Sequence, residues 1–331
     1  MRALTILGAG SWGTALAIAA RRAGRDVTLW ARREELAADI AATGENRRYM
    51  PGVALDPAIR ATAVLEEATA EAEAVLLVVP AQHLRRAAEN LTPHLRAGTP
   101  LVICAKGIEA GSARLMSQIL QEVLPEQPLA VLSGPTFAEE VAQGLPAAVT
   151  LAACEAGLAE RLVEALGSRA FRPYASDDVI GAQLGGAVKN VAAIACGIVA
   201  GRALGENARA ALITRALAEI TPLAQAMGGR AETLIGLSGL GDLTLTCTGA
   251  ASRNYTLGMA LGRGEAKEAA LGGSRGVAEG VYSADGVVQL ADRCGVDMPI
   301  CRGVDAVLNH AAPIEATIDS LLSRPFRTEI Y

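Results

Sequence analysis

Residues 3–15 read ALTILGAGSWGTA, and this stretch decides the fold of the first half of the chain. The apolar run 4–7 is typical of a buried strand, and it leads directly into a turn with three glycines. A helix is predicted over 14–23 and a second strand over 27–30. Strand, glycine turn, helix and strand at this spacing form the βαβ unit of dinucleotide-binding domains. The sequence therefore predicts a Rossmann-type domain at the N-terminus.

The turn itself indicates what it binds. Gly8 permits the tight turn, Gly10 lets a pyrophosphate approach the backbone, and Gly13 lets the helix pack closely on the strand. The N–H groups of the helix N-terminus favour phosphate. Ser11 and Trp12 fall within the same turn, where Trp12 either forms a wall of the cofactor site or packs internally. All five residues are predicted to contact a dinucleotide.

The end of the second predicted strand indicates which dinucleotide is bound. An NAD-selective site places a carboxylate there, whereas this chain has Arg32 and Arg33. Two cations favour the 2′-phosphate of NADP. Glu34 and Glu35 follow, in a position that suits the first turn of the next helix. We predict NADP as the preferred cofactor, with use of both NADP and NAD as the alternative.

The rest of the chain shows two different sequence patterns, one before and one after about residue 177. Short apolar runs without polar alternation suit the strands of a parallel sheet covered by helices. These runs are 4–7, 27–30, 74–79, 101–105, 129–132 and 147–151. After about residue 177 such runs give way to Ala- and Leu-rich helical periodicity with glycine breaks. The predicted fold class is α/β, with a doubly wound Rossmann-type domain over 1–177 and an all-α domain over 178–331.

Composition narrows the class of protein further. The net charge of −5 disfavours nucleic-acid binding, which needs a basic face. Six cysteines without a CxxC pair indicate reduced thiols in a cytoplasmic protein, and no signal peptide is expected before the first strand. The stretch 179–204 is long and apolar, but its Gly and Ala content predicts a helix buried in a soluble protein rather than inserted in a membrane. The three histidines show no metal-ligand spacing, so no metal site is predicted.

Lysine is rare in this chain, and two lysines stand in uncharged surroundings. The other 27 of the 30 basic residues are arginines. Lys106 closes an apolar run, and Lys189 lies in an apolar, glycine-rich stretch beside Asn190. Arginine cannot replace a lysine that must give up a proton, although an arginine-biased genome would leave the same few lysines. Lys267 lies between glutamates in a polar stretch and is predicted to be an ordinary surface residue.

Five spaced motifs resemble the bacterial NAD(P)-dependent glycerol-3-phosphate dehydrogenase family over essentially the whole chain. They are GAGSWGTA from Gly8, CAKGIE from Cys104, LSGPTFAEE from Leu132, GGAVKNV from Gly185 and GLSGLGDLTLTCT from Gly236, the last followed by SRN from Ser252. Arg47 departs from the pattern, where proline is expected. The resemblance implies reversible reduction of dihydroxyacetone phosphate to sn-glycerol 3-phosphate for phospholipid synthesis, in a homodimer.

The resemblance also implies roles for particular residues. Lys189 matches the lysine that transfers the proton, which agrees with its apolar, uncharged surroundings. Asp242 is predicted to orient its ammonium, and an Asx-type turn after Gly241 is the alternative from the residues alone. Thr246 could bind substrate or simply pack. The further implied substrate contacts are Lys106, Gly134, Thr136, Lys189, Ser252, Arg253 and Asn254, and the further cofactor contacts are Lys106, Ala138, Arg253, Val277 and Glu279.

Two of these assignments have a plain structural alternative. Arg253 and Asn254 suit a phosphate dianion, because they combine a guanidinium fork with an amide donor. Ser252 and Asn254 are equally good helix caps. Glu279, considered without the resemblance, looks like a solvated loop charge.

Two other functions of the whole protein stay open. One is a two-domain hydroxy-acid dehydrogenase, and the other is a dinucleotide sensor without catalysis, which would have no use for a buried lysine.

Overall fold

A computed structural model describes residues 1–272, 278–326 and 328. Its first half is one eight-stranded sheet of order β3-β2-β1-β4-β5-β6-β7-β8, with helices packed on it. The strands are β1 Ala3–Leu7, β2 Asp26–Trp30, β3 Arg60–Thr62, β4 Ala74–Leu77, β5 Leu101–Ile103, β6 Leu129–Ser133, β7 Ala147–Ala153 and β8 Phe171–Ser176. The Rossmann-type architecture predicted from the glycine turn is confirmed.

The helices interleave with the strands and then take over the chain. Those of the sheet domain are α1 Ser11–Arg22, α2 Glu34–Thr43, α3 Leu65–Thr69, α4 Leu84–Leu91, α5 Met116–Val123, α6 Ala138–Gln143 and α7 Leu158–Leu166. Those that follow are α8 Val179–Gly201, α9 Glu206–Ala226, α10 Ala231–Leu234, α11 Asp242–Thr248, α12 Arg253–Gly262, α13 Lys267–Gly272, α14 Glu279–Cys294, α15 Pro299–Asn309 and α16 Ile314–Leu322. A π-helical segment, Leu237–Gly241, precedes α11. The prediction of a helical second half is confirmed.

The expectation of a parallel sheet is wrong at two strands, β7 and β8. Strands β1 to β6 pair in parallel, but β7 runs antiparallel to β6, and β8 is parallel to β7. The connection between β6 and β7 contains only α6, a helix of six residues. A helix of this length spans about 9 Å, which does not carry the chain back to the end of the sheet at which the parallel strands begin. The chain therefore turns back at the end of the sheet where β6 finishes, and β7 runs in the opposite direction to β6.

Two further strands are absent from the predicted set. β3 is a three-residue strand at one edge of the sheet, and it contains no buried residue. β8 forms the other edge and alternates between buried Phe171 and Pro173 and exposed Arg172 and Tyr174. Edge strands lie partly in water and tolerate proline, so they lack the continuous apolar run of a central strand.

Helix α8 is the central element of the helical domain. Asp178 caps it, since its carboxylate accepts a hydrogen bond from the N–H of Gly181 (2.8 Å). The helix has the length and hydropathy of a membrane span, but 89% of its most apolar window is buried inside the protein. The prediction of a buried helix is confirmed. α12 packs directly on it: a Cβ added to Gly258 would lie 2.1 Å from the carbonyl oxygen of Ile194.

Lys267 is not the ordinary surface residue that its polar neighbours suggested. It is partly buried, and its Nζ donates a hydrogen bond to the carbonyl oxygen of Leu308 (2.6 Å). This carbonyl belongs to the last turn of α15, where the unpaired carbonyls of a helix attract cations. The side chain therefore links α13 to α15.

Candidate active site

The glycine turn has the geometry that each glycine was predicted to serve. Gly8 has φ +126°, and a Cβ there would lie 2.6 Å from the carbonyl oxygen of Val78. A Cβ on Gly13 would lie 1.7 Å from the carbonyl oxygen of Gly8. A Cβ on Gly10 would meet no atom within 4 Å. The space above Gly10 is therefore free for a ligand, whereas Gly8 and Gly13 are fixed by the fold.

The N-terminus of α1 faces this space. Gly10 occupies the cap position and supplies no side-chain acceptor to the first N–H groups of the helix. Uncapped N–H groups at a helix N-terminus bind phosphate, so the turn fits the pyrophosphate of a dinucleotide. Trp12 is partly buried against the core of the sheet domain, which favours its packing role.

A buried amide that sequence reasoning missed stabilises the turn. Asn46 is fully buried, and its Nδ2 donates to the carbonyl oxygen of Ala9 (3.0 Å) and to Oγ1 of Thr14 (2.7 Å). Ser11 Oγ donates to the carbonyl oxygen of Tyr49 (2.8 Å), so its hydroxyl is engaged within the protein. The segment after α2 thus folds back on the glycine turn. In the sequence, Asn46 is recognisable only as a polar residue before two arginines.

Arg32 and Arg33 lie where the second strand ends. Both side chains are exposed, and Arg33 Nη2 donates to the hydroxyl of Tyr49 (3.1 Å). Arg33 is also the cap residue of α2, with Glu34 and Glu35 in the first turn as predicted. Through Tyr49, Arg33 is connected to the segment that holds the glycine turn.

One buried carboxylate binds both conspicuous lysines. Lys189 Nζ lies 2.5 Å from Oδ1 of Asp242, and Lys106 Nζ lies 2.6 Å from Oδ2 of the same side chain. Asp242 has no exposed surface, whereas the Lys106 side chain is 17% exposed. The three residues come from α8, from the start of α11 and from the segment after β5. Sequence reasoning paired Asp242 with Lys189 and missed that it is shared.

The remaining contacts leave each ammonium one free donor. Lys189 Nζ also donates to Thr246 Oγ1 (2.8 Å), whose hydroxyl lies 3.4 Å from Asp242 Oδ1. Lys106 Nζ also donates to the carbonyl oxygen of Gly134 (2.9 Å). An ammonium has three N–H donors, so in the described part of the chain one N–H of each lysine is available to a ligand.

Burial and charge set the protonation of Lys189. Loss of hydration is the largest effect and lowers its pKa to about 8. The carboxylate of Asp242 raises this pKa, and the positive charge of Lys106 lowers it again. The result is a lysine that exchanges its proton near neutral pH, which is the property that a general acid and base requires.

The loop after β6 lies beside Lys106. A Cβ on Gly134 would lie 2.8 Å from the Cα of Val149, so the backbone passes too close to β7 for a side chain. Thr136 Oγ1 lies 3.2 Å from the carbonyl oxygen of Gly134, and Ala138 is the first residue of α6. Gly134 thus contacts Lys106 directly, and no contact of Thr136 or Ala138 with the lysines is observed among the described residues.

Two buried asparagines connect Lys106 to α14. Asn190 Nδ2 donates to the carbonyl oxygen of Lys106 (3.3 Å), Asn254 Nδ2 donates to Asn190 Oδ1 (3.0 Å), and the N–H of Gly280 donates to Asn254 Oδ1 (3.0 Å). A carbonyl at one end and an N–H at the other fix the orientation of both amides. Each amide keeps one N–H for a ligand, so the site presents donors, as an anion requires.

The other predicted residues fall around this network. Ser252 caps α12, because its Oγ accepts from the N–H of Tyr255 (3.2 Å), and Arg253 is exposed beside it. Glu279 is partly buried at the start of α14, accepts from the N–H of Ala81 (3.2 Å), and burial raises its pKa to about 7. It is therefore not a solvated loop charge. Val277 lies outside the described residues.

The site combines a glycine turn that fits a dinucleotide with a lysine whose pKa is lowered toward neutral pH, at the junction of a sheet domain and a helical domain. These features define a two-domain dinucleotide-dependent dehydrogenase. Family models agree: the N-terminal model of NAD-dependent glycerol-3-phosphate dehydrogenase matches residues 3–159, and the C-terminal model matches residues 178–319. The chain belongs to the NAD-dependent glycerol-3-phosphate dehydrogenase family.

Individual relatives agree with the family models. Glycerol-3-phosphate dehydrogenase [NAD(P)+] of Rhodospirillum rubrum is 59% identical over 98% of this chain and 93% of its own length. The solved glycerol-3-phosphate dehydrogenase of Coxiella burnetii is 40% identical, covers 98% of this chain and 99% of its own, and superposes with a TM-score of 0.94. That of Saccharomyces cerevisiae is 27% identical, covers 96% and 98%, and has a TM-score of 0.83.

Replacing Gly10 should separate cofactor binding from folding. Because a Cβ at Gly10 meets nothing, Gly10→Val should lower the urea midpoint of unfolding only by the small cost of replacing glycine at the helix cap, and the variant should fold. Its side chain would occupy the space for the pyrophosphate and weaken NADPH binding by about ten- to hundredfold, the scale of an overpacked contact. Fluorescence titration with NADPH measures this effect. Unchanged NADPH affinity in a folded variant would contradict the placement of the pyrophosphate.

Proposed function

We propose that this protein is an NAD(P)-dependent sn-glycerol-3-phosphate dehydrogenase that reversibly reduces dihydroxyacetone phosphate to sn-glycerol 3-phosphate for phospholipid synthesis. The observation that carries this proposal is the buried Lys189–Asp242–Lys106 cluster at the junction of the two domains. We assign residues 1–177 to cofactor binding and 178–331 to substrate binding.

Lys189 acts as the general acid in reduction and the general base in oxidation. Reduction of a ketone needs a proton on the oxygen, and the free N–H of Lys189 can donate it. Asp242 and Thr246 fix the direction of that N–H, because each takes one of the other two donors. Asp242 also stabilises the protonated form, which opposes the effect of burial and holds the pKa of Lys189 at about 8.

The substrate phosphate binds to cations and donors around this lysine. Lys106 contributes an ammonium, Arg253 a guanidinium, and Asn254 the N–H that its contact with Asn190 leaves free. Ser252 is occupied as a helix cap, so we assign it a supporting role in this site. Gly134 and Thr136 complete the substrate side. A hydroxy acid has no phosphate to use this set of donors, so the hydroxy-acid alternative is less well supported.

Gly8, Gly10, Ser11, Trp12 and Gly13 hold the dinucleotide through their backbone, since the Ser11 hydroxyl and the Trp12 ring are engaged within the protein. When bound, the nicotinamide supplies the hydride in reduction and accepts it in oxidation. We further assign Lys106, Ala138, Arg253, Val277 and Glu279 to the cofactor side, following the family resemblance. Arg32 and Arg33 select NADP over NAD, because they are exposed cations at the end of β2.

We also propose that the enzyme is a cytoplasmic homodimer with no membrane insertion. Burial of α8 inside the protein supports a soluble enzyme, since this helix, which has the length and hydropathy of a membrane span, is already covered. Dimerisation through the helical domain rests on the family resemblance alone.

The defining experiment is NADPH oxidation with dihydroxyacetone phosphate. We expect rapid oxidation with dihydroxyacetone phosphate and only slow oxidation with unphosphorylated dihydroxyacetone, because the donors around Lys106 need an anion. Absorbance at the nicotinamide band measures both rates. Comparable rates with both ketones would contradict the phosphate site, and activity only with a 2-keto acid would favour the hydroxy-acid alternative. Binding of NADPH without turnover of any of these would favour a sensor.

The role of Lys189 predicts opposite pH dependences for the two directions. Reduction needs protonated Lys189, so its kcat/KM should fall as pH rises through about 8, whereas oxidation needs the neutral amine and should rise through the same pH. Lys189→Ala should lower kcat by about two to four orders of magnitude and abolish this pH dependence, with NADPH affinity retained. Steady-state kinetics in both directions measures these effects. A variant with more than about a third of wild-type kcat would exclude proton transfer by Lys189.

The two arginines after β2 should decide cofactor preference. Arg32→Ala with Arg33→Ala should weaken NADPH binding by roughly ten- to hundredfold, the equivalent of about 1.5–3 kcal/mol for a charge-assisted pair. NADH binding should change little, and the NADPH preference should shrink as salt rises because both side chains are exposed. Titration of both cofactors measures this, with Arg60→Ala as an exposed control. Equal losses for NADPH and NADH would show that the arginines bind a shared part of the cofactor.

A further inference from the structure

Lys106 lies in a segment without regular structure. β5 ends at Ile103 and α5 begins at Met116, and we call the residues between them, 104–115, the Lys106 loop. The ammonium must reach both Asp242 and the carbonyl oxygen of Gly134, which belong to different elements. Its position therefore depends on what fastens the loop.

An ion pair fastens the loop three residues after Lys106. Arg85 of α4 donates from Nε to Oε1 of Glu109 and from Nη2 to Oε2, each at 2.8 Å. Ser112 Oγ donates to the same carboxylate (2.5 Å). Glu109 is 16% exposed, and hydrogen bonding from Arg85 lowers its pKa. Two parallel charge-assisted bonds that are partly shielded from water hold a geometry more firmly than a fully exposed pair does.

Gln82 forms hydrogen bonds with the backbone on both sides of Glu109. Its Nε2 donates to the carbonyl oxygen of Ile108 (2.8 Å), and its Oε1 accepts from the N–H of Ala110 (2.9 Å). Gln82 and Arg85 both follow β4, so they attach the loop to the rigid sheet domain. We call the contacts of these two side chains with the loop the Glu109 clamp.

On the opposite side of the loop, Gly107 and Ile108 are closely packed against neighbouring elements. A Cβ on Gly107 would lie 2.6 Å from the Cβ of Ala81. Ile108 is fully buried, and a Cβ on Gly286 of α14 would lie 2.6 Å from its Cγ2. Gly107 and Ile108 are the whole connection between Lys106 and Glu109 and both pack closely, so we expect a displacement of Glu109 to shift Lys106 as well.

We propose that Glu109 is a positioning residue for Lys106: the Glu109 clamp holds the Lys106 ammonium at Asp242 and thereby sets affinity for the phosphorylated substrate. Glu109 touches neither Lys106 nor Asp242 and takes no part in proton transfer. The inference rests on the proposed function, because it assumes that Lys106 binds the substrate.

Glu109→Gln keeps the shape of the side chain and removes its charge. We expect KM for dihydroxyacetone phosphate to rise about tenfold, as for loss of one charge-assisted contact, while kcat stays within about twofold. Glu71→Gln is the matched control, because Glu71 accepts from Arg60 at the same 2.8 Å on the surface of the sheet domain. It should leave KM unchanged.

A double-mutant cycle with Lys106→Ala decides between positioning and general stabilisation. If Glu109 acts through Lys106, Glu109→Gln should not raise KM further in the Lys106→Ala background. The same factor in both backgrounds, or an unchanged KM in the single variant, would overturn the proposal. Should Glu109→Gln not fold, Arg85→Lys replaces it in the cycle with the same two outcomes, since lysine keeps the charge and loses the fork. Wild-type enzyme inactive on dihydroxyacetone phosphate would instead overturn the proposed function.

Discussion

The structure depends on one buried negative charge. Asp242 has no exposed surface, and an unpaired carboxylate in that position would be strongly destabilising. Two ammonium groups, one on each oxygen, remove that penalty. Because Lys106 belongs to the sheet domain and Asp242 to the helical domain, pairing them also joins the two domains. The pair that helps to neutralise the carboxylate therefore also links the two domains at the site.

Small residues make this approach possible. A Cβ on Gly185 would lie 2.3 Å from the carbonyl oxygen of Ser238, and one on Gly186 would lie 2.6 Å from Oγ of Ser133. These glycines lie one turn before Lys189, where α8 meets the segment that leads into Asp242 and the end of β6. Larger side chains would hold the three elements apart. The glycines of α8 thus bring the charged groups together and also leave Lys189 in poorly hydrated surroundings that lower its pKa to about 8.

Local chemistry in the sequence predicted more than long-range geometry did. The glycine turn, the buried α8 and the burial of Lys189 in apolar surroundings each depend on residues close in sequence, and the structure agrees with them. The antiparallel β7 depends on the length of a connection, and edge strands β3 and β8 lack a buried run. The sharing of Asp242 by two lysines and the Asn46 contacts join residues far apart in the chain. No local pattern indicates such contacts. The roles of the predicted site residues remain proposals.

The central claim is that shared pairing with Asp242 and burial together place the pKa of Lys189 near neutral pH. The chain contains only three lysines, so lysine-selective isotope labelling would give three side-chain signals that single substitutions assign. NMR titration should show Lys189 changing protonation near pH 8, and at lower pH in Asp242→Asn, because the carboxylate raises this pKa. A Lys189 signal that titrates near the ordinary lysine value of 10.5, or that does not respond to Asp242→Asn, would contradict the account.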